Sequence, residues 1–193
     1  SSGYPIYQPY YKYAASSTTL TPSATTGSIT VTASANTFNT DWVGLKIRHK
    51  TKTMTVTGYS SATQLTCTVN ETLTDTSATT EWDEQTFSDL RGYPQAAAFH
   101  QNRFWMGGSK GRPAGIWASQ TGSYYNFFVD DSSDTKAIDV DISGNKVNEV
   151  RHMISTRSLQ IFTDGGEYYV PTTTTTAAIT PSNVTLKQQT PYG

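Results

Sequence analysis

Basic side chains alternate with aromatic ones in the second half of this sequence, and together they are the first candidate for a binding site. The basic residues are Arg91, Arg103, Lys110, Arg112, Arg151 and Arg157, and the aromatic residues near them are Trp105, Trp117 and Tyr124. Cations beside aromatic rings suit single-stranded nucleic acid or a sugar. We favour the other interpretation, in which the rings form a core and the cations lie on loops.

Five aspartates within twelve residues form a second candidate, Asp130, Asp131, Asp134, Asp139 and Asp141. Asp130, Ser132 and Asp134 have the alternate spacing of a calcium loop. However, Thr135 stands where that loop needs glycine, and Asp141 stands where it needs a bidentate glutamate. Paired carboxylates could also hydrolyse glycosides, but no other feature supports that reaction. We expect a solvated loop followed by the outer face of a strand.

The remaining reactive side chains do not group into a site. His49, His100 and His152 are too far apart for the spacing of metal ligands, and the single Cys67 can form no internal disulfide. The run 107–112 has glycines and a lysine but no helix pattern after it, so it lacks the helix end that a phosphate loop uses. The sequence therefore predicts a protein that is not an enzyme and has no metal or cofactor.

Composition narrows the class of protein. The net charge of −1 argues against general electrostatic attraction to nucleic acid. Only 15% of residues are charged, below the usual quarter, and threonine and tyrosine are abundant, which favours strands. No apolar run is long enough to span a membrane, and the first residues lack the pattern of a signal peptide.

The elements that position these side chains are strands. Alternation from Ser28 to Ala33, and over 42–48, 52–57 and 64–70, predicts four short strands with Val43 and Cys67 among the inward residues. We predict a small antiparallel barrel or sandwich over residues 27–71. A polar stretch, 72–82, is predicted as a linker.

A tyrosine-rich segment precedes this module. Residues 1–26 are predicted to be an extended arm and linker, whose rings pack on this chain or on a neighbour. The candidate contact residues are Tyr4, Tyr7, Tyr10, Tyr11 and Tyr13.

Residues 83–193 predict propeller-like antiparallel blades. The hairpin over 96–106 turns at His100–Arg103, and strands at 115–119 and 124–128 complete a first four-stranded unit. Runs at 137–142, 147–154, 158–163 and 167–170 form a second, with the Asp164-Gly165 turn as a hairpin signal. These residues supply about two blades and a closed propeller needs at least four, so we expect a longer parent polypeptide.

The order of these elements resembles the tail proteins of short-tailed phages that are called tail tubular, nozzle or packaged-DNA stabilisation proteins. The matching residues are Tyr93-Pro94, Phe99, Gln101 to Trp105, Gly107-Gly108, Arg112-Pro113, Ile116 to Ser119, Thr121 to Phe127, Asp139 to Ile142, Ser155 to Arg157, Gly165 to Glu167 and Thr180 to Val184. With the threonine-rich module, the resemblance covers about residues 25–190.

The resemblance implies an all-β structural protein of the virion tail. It implies a ring of copies, often six, around the path of ejected DNA, with neighbouring tail or head–tail adaptor proteins as further partners. Arg103, Lys110, Arg112 and Arg157 would be sequence-blind contacts to DNA phosphates or contacts between subunits. The alternative is a receptor- or carbohydrate-binding module, which would need Trp42 or Trp117 exposed for stacking.

Overall fold

The computed structural model describes residues 7–129, 133–143, 148–171 and 179–191. Apart from one 3₁₀ turn at Thr40–Trp42, its regular elements are strands. The strands are β1 Tyr10–Tyr11, β2 Leu20–Pro22, β3 Ser28–Ala33, β4 Lys46–His49, β5 Lys52–Ser61, β6 Gln64–Val69, β7 Trp82–Gln85, β8 Ala96–His100, β9 Arg103–Gly107, β10 Gly115–Ala118, β11 Ile138–Asp141, β12 Val150–Ser155, β13 Leu159–Thr163, β14 Gly166–Val170 and β15 Lys187–Thr190. The all-β prediction is confirmed.

The chain forms two compact units. The N-terminal unit is Tyr10–Leu90. It consists of one antiparallel sheet in the order β1-β7-β4-β5-β6-β3-β2. Its core contains Ile29, Ile47, Met54 and Leu65, all at most 3% exposed, and these residues alternate along their strands as the period of two requires.

Two segments predicted to lie outside this sheet belong to it. The predicted arm contributes β1 and β2, and Leu20 is fully buried. The predicted linker contains buried Leu73, and Thr79 forms an antiparallel bridge with Leu20 just before β7 begins at Trp82. Polar composition suggested flexible chain, but a few large apolar side chains are enough to anchor each segment.

The predicted strand over 42–48 begins later than expected. Asn39 caps the 3₁₀ turn by accepting a hydrogen bond from the backbone N–H of Asp41 at 3.1 Å. Gly44 then adopts a φ of +94°, which interrupts extended backbone. Val43, predicted to point inward, is therefore 49% exposed, whereas Leu45 is buried as predicted.

Cys67 is buried on β6, as its inward position predicted, and burial raises the pKa of its thiol to about 12. Because the thiolate is the reactive form, we expect Ellman's reagent to label the native protein at least about 10³-fold more slowly than the urea-unfolded chain at mildly alkaline pH. The measurement is the rate of thiol labelling. Rapid native labelling would show that β6 opens or that Cys67 reaches solvent.

The C-terminal unit contains the described residues from Arg91 onward, together with residues 7–9. Its two antiparallel sheets have the orders β11-β10-β9-β8 and β12-β13-β14-β15. They share one apolar core, in which Trp105, Ile116, Leu159 and Ile161 have no exposed surface.

The boundary between the two predicted blades lies one strand later than predicted. Residues 124–128 are not a strand, and the fourth strand of the first sheet is β11, which pairs with β10 from Ile138↔Ala118 to Asp141↔Gly115. The second sheet ends with β15, which lies beyond the last predicted strand. Alternation identifies the buried face of a strand but not its neighbour.

Candidate functional site

The hairpin between β8 and β9 builds a polar site in the C-terminal unit. Gln101 and Asn102 form its turn with φ values of +48° and +55°, the conformation that suits a two-residue hairpin. The turn thus lies within the predicted interval, and it places His100 and Arg103 opposite each other as the last and first residues of their strands.

Arg103 is buried rather than presented on a loop. It is 1% exposed, and its Nη1 group donates to the carbonyl oxygens of Ser119 at 2.7 Å and Lys136 at 2.5 Å, while Nη2 donates to that of Asp134 at 2.7 Å. Burial lowers the pKa of this guanidinium. The interpretation of Arg103 as an exposed cation is therefore wrong: its donors hold the segment around residues 134–136 to β9.

Arg112 is also internal, at 7% exposed. Its Nη1 lies 2.7 Å from Asp139 Oδ1, its Nη2 lies 2.9 Å from Asp141 Oδ2, and its guanidinium lies 5.2 Å from the centre of the Trp117 ring. Burial raises the pKa of Asp139 despite the opposing attraction of Arg112. The predicted solvated aspartate face is thus an ion-pair network that ties the loop before β10 to β11.

Lys110 and Arg157 do lie at the surface, as loop cations should. Within the described part of the chain, neither has a hydrogen-bonded or ionic partner. Of the four basic residues predicted to meet DNA or a neighbouring subunit, these two keep that interpretation as a hypothesis.

The predicted tyrosine arm divides between the two units. Tyr10 and Tyr11 form β1, and Tyr13 donates its hydroxyl to the carbonyl of Thr86 at 3.2 Å. The Arg48 guanidinium lies 4.1 Å from the centre of the Tyr10 ring. The side chains of Tyr10 and Tyr13 thus make contacts within the N-terminal unit, whereas Tyr11 is 37% exposed.

Tyr7 belongs to the C-terminal unit and Tyr4 lies outside the described residues. Tyr7 forms a parallel bridge with Asn126, and its carbonyl accepts from the N–H of Phe127 at 2.9 Å. Its side chain is 55% exposed, so the ring remains open to a partner.

The two tryptophans proposed for sugar stacking are buried. Trp42 is 2% exposed and Trp117 has no exposed surface. Neither ring face can therefore meet a ligand in this structure, and the stacking surfaces predicted for a carbohydrate module are absent at these positions.

Metal chemistry gains no support from the described residues. Their histidine, cysteine and acidic side chains form no group of three or more that could hold a metal ion. Asp130 and Ser132 of the calcium-like pattern lie outside the described residues, while Asp139 and Asp141 bind Arg112. Among the described residues, no helix is long and apolar enough to cross a membrane.

A small cavity at the β8–β9 turn was not predicted. It has a volume of about 220 Å³ and is lined by Phe99, His100, Gln101, Asn102, Arg103, Tyr124 and Ser155. The sequence assigned Phe99 and Tyr124 to blade strands. Only the positive-φ turn, for which asparagine is well suited, could have indicated a distinct local geometry here.

Burial lowers the pKa of His100 below its ordinary value of 6.5. Below about pH 6.5, His100 of the unfolded chain therefore takes up a proton while native His100 stays neutral. The free energy of unfolding thus falls as the pH is lowered from about 6.5 to the native pKa. We expect a loss of up to about 1.4 kcal/mol per pH unit in this window.

Urea unfolding of the protein and of His100→Gln from about pH 7 to about pH 5 measures this effect. The His100 contribution should vanish in the variant and persist in His152→Gln, which alters an exposed histidine. Identical pH profiles for the protein and His100→Gln would contradict it.

The comparisons with known proteins do not place the chain in a family. It matches no protein-family model and no curated protein.

Proposed function

We propose that this chain is a structural module of a phage tail, of the nozzle or tail tubular type, that assembles as a ring around the DNA exit channel. The observation that carries the proposal is the succession of two four-stranded antiparallel sheets in chain order, β8–β11 and β12–β15. Radially repeated four-stranded sheets are the units of a propeller.

The first strands of the two sheets support this interpretation. Strand β12 lies beside β8. Gln95 Nε2 donates to Glu149 Oε1 at 2.9 Å near their starts, and His100 Nδ1 lies 2.9 Å from Ser155 Oγ at their ends. The two strands therefore run side by side in the same direction, as the first strands of neighbouring blades do.

One contact in the N-terminal unit favours the barrel over the sandwich, the two forms that its strand pattern predicts. Strand β2 is one edge of its sheet, yet Leu20 also exchanges backbone hydrogen bonds of 2.9 and 3.1 Å with Thr79. Thr79 immediately precedes β7, which lies near the opposite edge, so this bridge draws the two ends of the sheet together. A bridge of this kind covers part of an edge strand, which protects it from pairing with another chain.

The internal contacts of two arginines also suit a structural protein. Arg103 and Arg112 satisfy internal carbonyl and carboxylate groups, which leaves Lys110 and Arg157 as the candidate contacts to DNA backbone. Exposed Tyr7 and Tyr11 are the candidate contacts to other copies or to neighbouring tail and adaptor proteins.

Sedimentation and negative-stain electron microscopy of the purified protein test the proposal. We expect a concentration-dependent ring, with six copies as the leading value, and a central opening. A protein that stays monomeric up to its solubility limit would contradict it. Tyr7→Ser should weaken assembly, whereas Tyr59→Ser, which changes a 39% exposed tyrosine outside the proposed contacts, should not.

The alternative function is a receptor- or carbohydrate-binding module. Burial of Trp42 and Trp117 removes the stacking surfaces on which that hypothesis was based. The observation that still favours it is the aromatic cavity at the β8–β9 turn, which the scaffold function does not require.

A further inference from the structure

The cavity at the β8–β9 turn has two aromatic walls that solvent can reach. Phe99 is 62% exposed and Tyr124 is 37% exposed, and their rings are perpendicular with centres 5.2 Å apart. Its volume of about 220 Å³ is below the range of sites for drug-sized ligands. The site therefore has room for a ligand of about one ring.

The turn supplies two amides to this space. Gln101 Oε1 accepts a hydrogen bond from the backbone N–H of Ile179 at 2.8 Å, which fixes that side chain. The side-chain amide nitrogen of Gln101 forms no hydrogen bond with a described residue. The same is true of both atoms of the side-chain amide of Asn102, which is exposed. These groups can donate to, and accept from, a ligand with hydroxyl groups.

His100 adds an unsatisfied polar atom. The residue is 7% exposed, its Nδ1 lies 2.9 Å from Ser155 Oγ, and its Nε2 is buried without a hydrogen-bond partner among the described residues. Buried polar atoms are rarely left in this state. Because His100 lines the cavity, a hydroxyl group of a ligand is a candidate partner for this atom.

The lining offers no exposed charge. Arg103 is the only charged side chain among the lining residues, and its guanidinium is covered and donates to three backbone carbonyls. A charged ligand would thus find no accessible counter-ion. Apolar ring faces beside amide and hydroxyl groups suit an uncharged ligand with many hydroxyls.

We propose that this cavity binds one neutral monosaccharide unit of a glycan, with the sugar ring against Phe99 and its hydroxyls on the amides of Gln101 and Asn102. The inference is independent of ring assembly, because no residue that lines the cavity is among the proposed subunit contacts.

Titration of the ¹⁵N-labelled protein with the methyl glycosides of glucose, galactose and N-acetylglucosamine tests the site. We expect at least one to bind with a millimolar dissociation constant and to shift the amide signals of residues 99–103, Tyr124 and Ser155. Absence of shifts with all three sugars would overturn the proposal. Tighter binding of glucuronate than of the glucoside would overturn the assignment of a neutral ligand.

Two variants localise the binding. Phe99→Ala removes the exposed wall, and Asn102→Gly removes the amide from a position whose positive φ glycine tolerates. Each should weaken binding about tenfold or more, whereas Tyr59→Ala should not. Thermal unfolding verifies that each variant is folded. Binding that survives both cavity substitutions would place the sugar elsewhere and overturn the site.

Discussion

Gly108→Ala is expected to destabilise the C-terminal unit by about 2–5 kcal/mol. Gly108 has a φ of +66°, which costs an alanine about 1–2 kcal/mol. An added Cβ would also lie 2.6 Å from the carbonyl oxygen of Val150 and 3.2 Å from its Cβ. Because the nearest atom is backbone, the clash cannot be relieved by rotating a side chain, and the second sheet must move.

A matched glycine separates the two causes. Gly122 has a similar φ of +72°, but an added Cβ would meet no atom within 4 Å. Gly122→Ala should therefore lose only about 1–2 kcal/mol. Urea unfolding gives both free energies, and hydrogen exchange of β9 and β12 locates the damage. Equal losses would show that the close approach at Gly108 contributes nothing.

Arg103→Met is expected to destabilise the same unit by about 3 kcal/mol. Methionine has a comparable apolar stem but cannot donate to the three carbonyls of Ser119, Asp134 and Lys136. Each lost bond from a charged donor is worth about 1.5–3 kcal/mol. Burying the charged guanidinium costs free energy in the native protein, and methionine removes this cost. The expected net loss is therefore smaller than the sum of the three lost hydrogen bonds.

Arg157→Met is the control for loss of a cation. Arg157 is exposed and has no hydrogen-bonded or ionic partner in the described ranges, so we expect a change within about 0.5 kcal/mol. Denaturant unfolding compares the two variants. In Arg103→Met, hydrogen exchange should also rise at residues 133–137. Unchanged exchange there would contradict the proposed anchoring role.

Sequence reasoning predicted most of the strands but neither all of them nor all of their partners. Strands β1, β2, β7 and β15 lie outside the predicted strands. The hairpin over 96–106 was predictable because its alternation and its turn lie within a few residues of each other. The assignment of β11 to the first sheet was not, because its partner β10 lies about twenty residues away across a segment that resembled a strand. Tyrosine and phenylalanine at 124–128 favour strand by propensity, but tertiary context prevails over propensity here.

Alternation and local backbone geometry were enough to predict the all-β class, the inward position of Cys67 and the turn between β8 and β9. The burial of the charged residues depends instead on contacts between distant parts of the chain. Arg103 and Arg112 find their acceptors 16 to 33 residues away. A cation that will be desolvated cannot be told from an exposed one until the fold brings its partners to it.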